Sequence, residues 1–182
     1  GLGHVHERTV VKCLDERGAA QLARIRLNYD PASNAIELKR ARVLRADGTV
    51  EELSPADAVD LPQPQRAIYW GPRMKLLQVP RLEPGDALET RTYRKGFQIA
   101  YLEDVVQEAT SGTADDERYV PPMRGHFYDV VTFQERHPVE LRYYEVRLPR
   151  DKPLKLEVYN GPVLSRASFD DESLVYSFWM ED

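Results

Sequence analysis

Residues 76–93 read LLQVPRLEPGDALETRTY, and this stretch decides the fold class. A short apolar run ends at Pro80, a corner follows at Pro84-Gly85-Asp86, and apolar and polar residues then alternate. This period of two predicts a β-strand with one buried face. Pro84 fixes φ at the second position of a turn, Gly85 can take the positive φ of a type II turn, and Asp86 can accept backbone N–H bonds. We therefore interpret the corner as a structural turn rather than a binding site.

Alternation of the same period recurs along most of the chain. Residues 21–30, QLARIRLNYD, place Ile25 and Leu27 on one face and arginines on the other. Residues 35–53 contain two strand patterns around Asp47-Gly48, a strong hairpin signal because both central residues can take positive φ. Further strand patterns cover 4–14, 67–79, 127–136, 139–149, 153–161 and 174–180. The spacing is typical of a sandwich or barrel, and we predict one all-β, mainly antiparallel β-sandwich domain over residues 1–182.

One segment, residues 99–124, breaks the pattern. Leu102, Val105, Val106 and Ala109 follow the i, i+3, i+4, i+7 spacing of one helix face. A polar, acidic stretch rich in turn residues follows them. We predict that this segment is an insertion, made of a short helix and a long excursion between two strands.

Composition narrows the class of protein. With 182 residues, 42% apolar and 30% charged, the chain is an ordinary globular sequence. Its 30 acidic and 25 basic residues give a net charge of −5, which argues against a nucleic-acid surface. Cys13 is the single cysteine, so an intramolecular disulfide and a CxxC pair are excluded. Because no apolar run approaches the ~20 residues of a membrane helix, we expect no membrane span in this sequence.

The order of several short motifs resembles a known family. These motifs are Tyr29-Asp30-Pro31, Ala41-Arg42-Val43, Asp47-Gly48, Pro80, Leu82, Pro84-Gly85-Asp86, Pro138-Val139 and Leu148-Pro149. In this order they are similar to the N-terminal domain of unknown function that precedes transglutaminase-like domains in exported bacterial proteins. The resemblance runs from about residue 7 to residue 180, and the insertion at 99–124 is longer than the family pattern.

The resemblance implies a fold, a cellular location and a neighbouring domain in the same polypeptide. It implies an immunoglobulin-like β-sandwich and an extracytoplasmic location, periplasmic or secreted. It also implies that a transglutaminase-like Cys-His-Asp domain of the same polypeptide usually follows, which would be the main partner. The opening residues GLGHVHERTV lack a methionine, so we expect a processed or truncated sequence.

No cluster of reactive residues indicates catalysis. We expect Cys13, at the end of a predicted strand, to be a plain buried residue. His4 and His6 share one strand face without an indicated third metal ligand, and His126 and His137, which flank the predicted strand 127–136, have no evident Ser or Cys partner. Two acid triplets, Asp115-Asp116-Glu117 and Asp170-Asp171-Glu172, lack the spacing of a calcium loop. We predict no catalytic, cofactor-binding or metal-ligating residue and no cofactor.

Two groups of aromatic residues have different expected roles. One group lies beside turns or the insertion, where its rings could form an exposed stacking platform for a partner or a glycan. It consists of Tyr69, Trp70, Tyr119, Phe127 and Tyr128. Alternatively, these rings fill the core between the sheets. The remaining large rings lie in predicted strands and are expected to be sheet and core residues; they are Tyr143, Tyr144, Tyr159, Tyr176, Phe178 and Trp179.

These observations support two hypotheses about function. In the first, the chain is a non-catalytic accessory module that positions a following transglutaminase-like domain or that domain's protein partner. In the second, it is a carbohydrate- or cell-wall-binding module that uses exposed aromatic rings. A third hypothesis, a standalone enzyme, requires a cleft that joins His126 or His137 to acids of the insertion.

Overall fold

The computed structural model describes residues 3–63, 71–96 and 127–181 and shows an antiparallel β-protein. Its strands are β1 (Gly3–Lys12), β2 (Arg24–Tyr29), β3 (Asn34–Leu44), β4 (Val50–Leu53), β5 (Val59–Pro62), β6 (Arg73–Gln78), β7 (Ala87–Gly96), β8 (Leu141–Pro149), β9 (Leu164–Phe169) and β10 (Ser173–Glu181). A short helix, α1 (Glu16–Gln21), and a 3-10 turn (Pro55–Asp57) complete the described elements. Every described strand pair is antiparallel, which confirms the predicted fold class.

The chain divides into two compact units, Gly1–Tyr128 and Asp129–Asp182. Unit 1 contains β1 to β7, and unit 2 contains β8 to β10. The single domain over residues 1–182 stays a prediction, and the insertion at 99–124 lies outside the described residues. In the described part of the chain, no helix is long and apolar enough to cross a membrane.

Unit 1 contains two sheets that share one hydrophobic core. The first sheet has the order β1-β7-β3-β4, and the second has the order β2-β6-β5. Val43 and Leu88, from the first sheet, cluster with Ile25 and Leu77, from the second. Their burial follows from the alternation in the sequence, since every second side chain of a strand lies on the same face. Each fully buried aliphatic side chain of this size stabilises the fold by about 1.5–3 kcal/mol.

The predicted hairpin at Asp47-Gly48 joins β3 to β4, but its turn differs from the expected type. The N–H of Gly48 donates to the carbonyl of Arg45 at 3.0 Å, and the N–H of Arg45 donates to the carbonyl of Thr49 at 2.8 Å. Gly48 has a φ of 88°, whereas Asp47 keeps a negative φ. The connection is therefore a type I turn followed by a left-handed glycine. The Asp47 carboxylate accepts the N–H of Thr49 at 2.8 Å, which explains why aspartate fits this position.

Unit 2 is a three-stranded sheet with the order β8-β10-β9. The strands predicted at 139–149 and 174–180 are confirmed as β8 and β10. The strand predicted at 153–161 is wrong, because those residues pair with no strand, and β9 begins at Leu164 instead. The strand predicted at 127–136 is also absent from the described residues. Alternation alone does not make a strand, which also needs a neighbour for its backbone groups.

Candidate functional site

The Pro84-Gly85-Asp86 corner is a structural turn, as the sequence predicts. Gly85 has a φ of 99°, and the N–H of Asp86 donates to the carbonyl of Glu83 at 3.0 Å. The buried Asp86 carboxylate accepts the backbone N–H groups of Glu83 and Ala46, both at 3.0 Å, and Nη1 of Arg45 at 2.8 Å. The Glu83 N–H and the Arg45 guanidinium hold the pKa of Asp86 below its usual value. The carboxylate therefore fastens this corner to the β3–β4 hairpin.

Cys13 lies next to this corner and is not an exposed nucleophile. Its N–H donates to the carbonyl of Asp86, and its carbonyl accepts the N–H of Gly85, both at 2.8 Å. The side chain is 1% exposed, which confirms the predicted buried residue. Burial and the nearby Asp86 carboxylate raise the pKa of the Cys13 thiol. A raised pKa disfavours the thiolate, which is the reactive form of cysteine.

The most unusual group of charges surrounds Glu89, on β7. Its side chain is completely buried, although it lies on the sheet face opposite to the core residue Leu88. Glu89 accepts Nε of Arg8 at 2.8 Å, Nε of Arg42, and Nε of Arg91 at 3.4 Å. Arg8 belongs to β1, Arg42 to β3 and Arg91 to β7, so three adjacent strands contribute. We call Glu89 and these three arginines the Glu89 cluster.

The electrostatics of the Glu89 cluster fix the charge of the carboxylate. Burial by itself raises the pKa of Glu89, because it disfavours the charged form. The hydrogen bonds from Arg42 and Arg8 outweigh burial and lower the pKa to about 2. Glu89 is therefore ionised at neutral pH, and its role is to order arginines rather than to transfer protons.

The arginines of the Glu89 cluster remain partly accessible to solvent. The Arg8 side chain is 59% exposed, the Arg91 side chain 47% and the Arg42 side chain 22%. All three use Nε to reach the carboxylate. Among the described residues, their Nη groups make no further hydrogen bond.

An aromatic ring lies beside the Glu89 cluster on the same sheet. The Tyr93 hydroxyl is hydrogen-bonded to Nδ1 of His4 at 2.7 Å, and the His6 ring packs 4.8 Å from the Tyr93 ring. Lys39 Nζ lies 5.3 Å from the centre of the Tyr93 ring. His4 and His6 thus contact Tyr93, and no three potential metal ligands come together within the described ranges. A shallow depression of 360 Å³ opens here, and it is lined by His6, Glu7, Arg8, Lys39, Arg91 and Thr92.

The structure locates only some of the site residues considered from the sequence. Phe127 is 49% exposed and Tyr128 is 66% exposed. Tyr69, Trp70 and Tyr119 lie outside the described residues, as do His126 and Asp115-Asp116-Glu117. His137 is exposed.

The second acid triplet, Asp170-Asp171-Glu172, forms part of a turn. The Asp170 carboxylate accepts the N–H groups of Glu172 at 3.2 Å and of Ser173 at 2.7 Å. These hydrogen bonds hold the pKa of Asp170 below its usual value. Asp170 therefore has a structural role in the turn that precedes β10.

Two of the aromatic residues expected to be sheet and core residues are exposed, although one of them, Tyr143, does lie in strand β8. Tyr143 is 54% exposed, and Tyr159, outside any strand, is 74% exposed. Tyr143 on β8 and Leu164 on β9 are both cross-strand partners of Trp179 on β10. Leu164 is 56% exposed and Trp179 is partly buried. We call Tyr143, Trp179 and Leu164 the unit 2 row, because they form one apolar row across three strands.

Comparison with known proteins assigns the family. Residues 1–182 match the model of DUF3857, a domain of unknown function with a solved structure. The chain belongs to this family. The assignment made from the short motifs to a domain of unknown function is therefore confirmed.

A solved structure shares the fold of this DUF3857 chain. It is a protein from Parabacteroides distasonis, provisionally named a protease, with a TM-score of 0.71 and 12% sequence identity. The match covers 100% of this chain and 32% of that protein, so this chain spans about a third of its length. No curated protein matches the sequence.

Proposed function

We propose that this DUF3857 chain is a non-catalytic accessory module that packs against a transglutaminase-like Cys-His-Asp domain in an extracytoplasmic protein. The unit 2 row carries the proposal. Its three apolar side chains lie side by side on one face of the sheet, with Tyr143 and Leu164 more than half exposed. Exposed apolar patches of this kind mark interaction surfaces, and Trp and Tyr are enriched among the residues that dominate interface energies.

The position of the unit 2 row favours a partner that follows it in the chain. Trp179 lies near the carboxyl end of β10, which runs from Ser173 to Glu181. A domain that followed β10 directly would lie close to this row. Tyr143 also has polar partners, since its hydroxyl donates to Glu145 at 2.6 Å and lies 3.0 Å from Ser177 Oγ. The row thus has the apolar centre and polar surround of an interface.

The comparison with the Parabacteroides protein also supports an accessory role. The matched region is 32% of that protein, which is named after an enzymatic activity. This proportion is expected if a module like this one accompanies a larger catalytic region. Cys13 is not placed to act as a catalytic nucleophile, because its side chain is buried and its backbone is hydrogen-bonded to the corner.

Limited proteolysis of the full-length protein tests the proposal. We expect the pair Tyr143→Ser and Leu164→Ser to speed cleavage between the module and the following domain by about tenfold, the change that ~1.4 kcal/mol of lost packing produces. The matched control is the pair Tyr159→Ser and Leu156→Ser, which removes the same residue types from exposed positions outside the row. Equal effects of both pairs would contradict the docking surface. A reading frame without a transglutaminase-like domain, or hydrolase activity of residues 1–182 alone, would contradict the function itself.

The exposure of Phe127 and Tyr128 favours a second candidate, binding of a carbohydrate or cell-wall polymer. Aromatic rings exposed to solvent can stack on the apolar face of a sugar. If this candidate is correct, replacing both rings by alanine abolishes co-sedimentation with insoluble cell-wall glycan. The Tyr159→Ala variant, which removes another exposed ring, should bind like the unchanged protein. Absence of co-sedimentation in the unchanged protein would rule the candidate out.

A further inference from the structure

We propose that the Glu89 cluster, together with Lys39, binds a ligand through an oxyanion group of that ligand. The oxyanion is a phosphate or a carboxylate. This site lies in unit 1 and does not depend on the proposed accessory function. Arginine suits such ligands because its planar guanidinium presents several N–H donors in a fixed geometry. The inference depends on how Glu89 holds the three guanidinium groups.

Glu89 prearranges the arginines without using up their donors. Arg8, Arg42 and Arg91 all bind the carboxylate through Nε, which leaves the Nη groups free of hydrogen bonds to the described residues. Long side chains normally lose conformational freedom when they bind a ligand, and this loss weakens binding. Here the buried carboxylate has already restricted them, so less of this cost remains for the ligand.

The local charge is complementary to an anion. Three guanidinium groups surround one carboxylate, which leaves an excess of positive charge, although the chain as a whole carries a net charge of −5. The neighbouring Arg40 is balanced by Glu52. Lys39 lines the proposed site and also contacts Glu37. On an ordinary solvent-exposed sheet face with alternating charges, each basic side chain would be paired with one acidic side chain. The Glu89 cluster departs from that pattern.

The adjoining depression gives the anion a place to bind. Arg8, Lys39 and Arg91 line it, together with His6 and Thr92, which can also hydrogen-bond to an oxyanion. Its volume of 360 Å³ lies at the low end of the ~300–1,000 Å³ range of small-molecule sites, which is enough space for an oxyanion. Glu7 also lines the depression and would oppose a ligand with a second negative charge on that side.

Titration with inorganic phosphate and, separately, citrate tests this site. The arginine Nε–H signals in NMR spectra of the whole 182-residue chain report directly on the Glu89 cluster. We expect the signals of Arg8, Arg42 and Arg91 to shift with a saturable dependence on anion concentration. The double variant Arg8→Gln with Arg91→Gln should weaken binding by about tenfold or more, because each charge-assisted hydrogen bond is a strong interaction.

The matched control is Arg24→Gln with Arg166→Gln, which removes the same charge from exposed positions outside the depression. Unchanged affinity in this control, with lost affinity in the first variant, supports the site. Saturation by phosphate alone identifies a tetrahedral oxyanion, and saturation by citrate alone identifies a carboxylate. An equal loss in both double variants, or shifts spread over all arginines without saturation, would overturn the inference.

Discussion

Two buried carboxylates, Asp86 and Glu89, lie three positions apart in the chain, and their negative charges are stabilised in different ways. Asp86 accepts two backbone N–H groups and one arginine, and its partners belong to two turns. Glu89 accepts three arginine side chains from three strands. The first arrangement fastens two turns together and has no spare donor directed to a ligand. The second leaves guanidinium donors at the surface, which is why a binding role is proposed for Glu89 and none for Asp86.

Removal of the Glu89 carboxylate should have the largest effect on stability. In Glu89→Ala the three arginines lose their common acceptor and repel one another, so we expect the free energy of unfolding to fall by about 2–3 kcal/mol. Urea denaturation measures this change. Glu7→Ala, an exposed glutamate of β1, is the matched control and should change stability little. Equal stability of Glu89→Ala and the unchanged protein would show that the cluster contributes no net stability.

Acid should remove part of the same stabilisation. The pKa of Glu89 lies at about 2 in the folded protein, against 4.5 for an ordinary glutamate, so the unfolded chain binds the proton more readily. This contribution is fully present above about pH 5 and is lost as the pH falls from about 4.5 toward 2. Urea midpoints measured between pH 7 and pH 3 should fall less steeply for Glu89→Gln than for the unchanged protein. Parallel curves would contradict the low pKa of Glu89.

Replacement of Asp86 by asparagine should be milder, since one side-chain oxygen remains to accept a backbone N–H. The NH2 group that replaces the other oxygen can only donate, so either the Glu83 N–H or the Ala46 N–H loses its acceptor. We expect the free energy of unfolding to fall by about 2 kcal/mol, which lowers the Tm by about 4–8 °C in a chain of this length, measured by thermal unfolding. Asp171→Asn, at an exposed position in unit 2, serves as the control. A Tm unchanged in both variants would mean that the corner does not need the carboxylate.

The smallest effect is expected from the glycines of the two turns. Gly85→Ala should cost about 1–2 kcal/mol, because φ is 99° and the new Cβ would lie 3.1 Å from the Ala46 Cβ. Gly48→Ala has the same strain with open space around it and should cost about 1 kcal/mol. Gly161 has neither a positive φ nor a crowded Cβ position, so Gly161→Ala should change the free energy of unfolding little. Equal values for the first two glycines would show that contact with Ala46 is unimportant.

The contrast between the local contacts of Asp86 and the three-strand contacts of Glu89 also explains which parts of the structure were predictable. The Pro84-Gly85-Asp86 corner was predicted because φ preferences and local hydrogen bonds belong to neighbouring residues. Strands β2, β3 and β7 were predicted because their alternation is local as well. Strand β9 was missed, since LSRASF has a weak pattern and becomes a strand only through its pairing with β10.

The Glu89 cluster was missed for a related reason. In ALETRTY, Glu89 has the position of an ordinary polar-face residue, and nothing in the segment itself distinguishes it. The available signal was the register, which pairs Glu89 with Arg42 on β3 and with Val10 on β1. Arg8 is two residues from Val10 and is therefore within diagonal reach. Register across three strands cannot be read from one segment.

By itself, the sequence determined the all-β class, the corner, the hairpin position, the burial of Cys13 and the family. Each of these depends on backbone preferences, on period-two alternation or on a recognisable order of motifs along the chain. Only the tertiary structure decided that Glu89 is buried beneath three arginines and that Tyr143, Leu164 and Trp179 form one row. Those arrangements depend on which strands become neighbours, because charge and packing act through space between residues that are far apart in the chain.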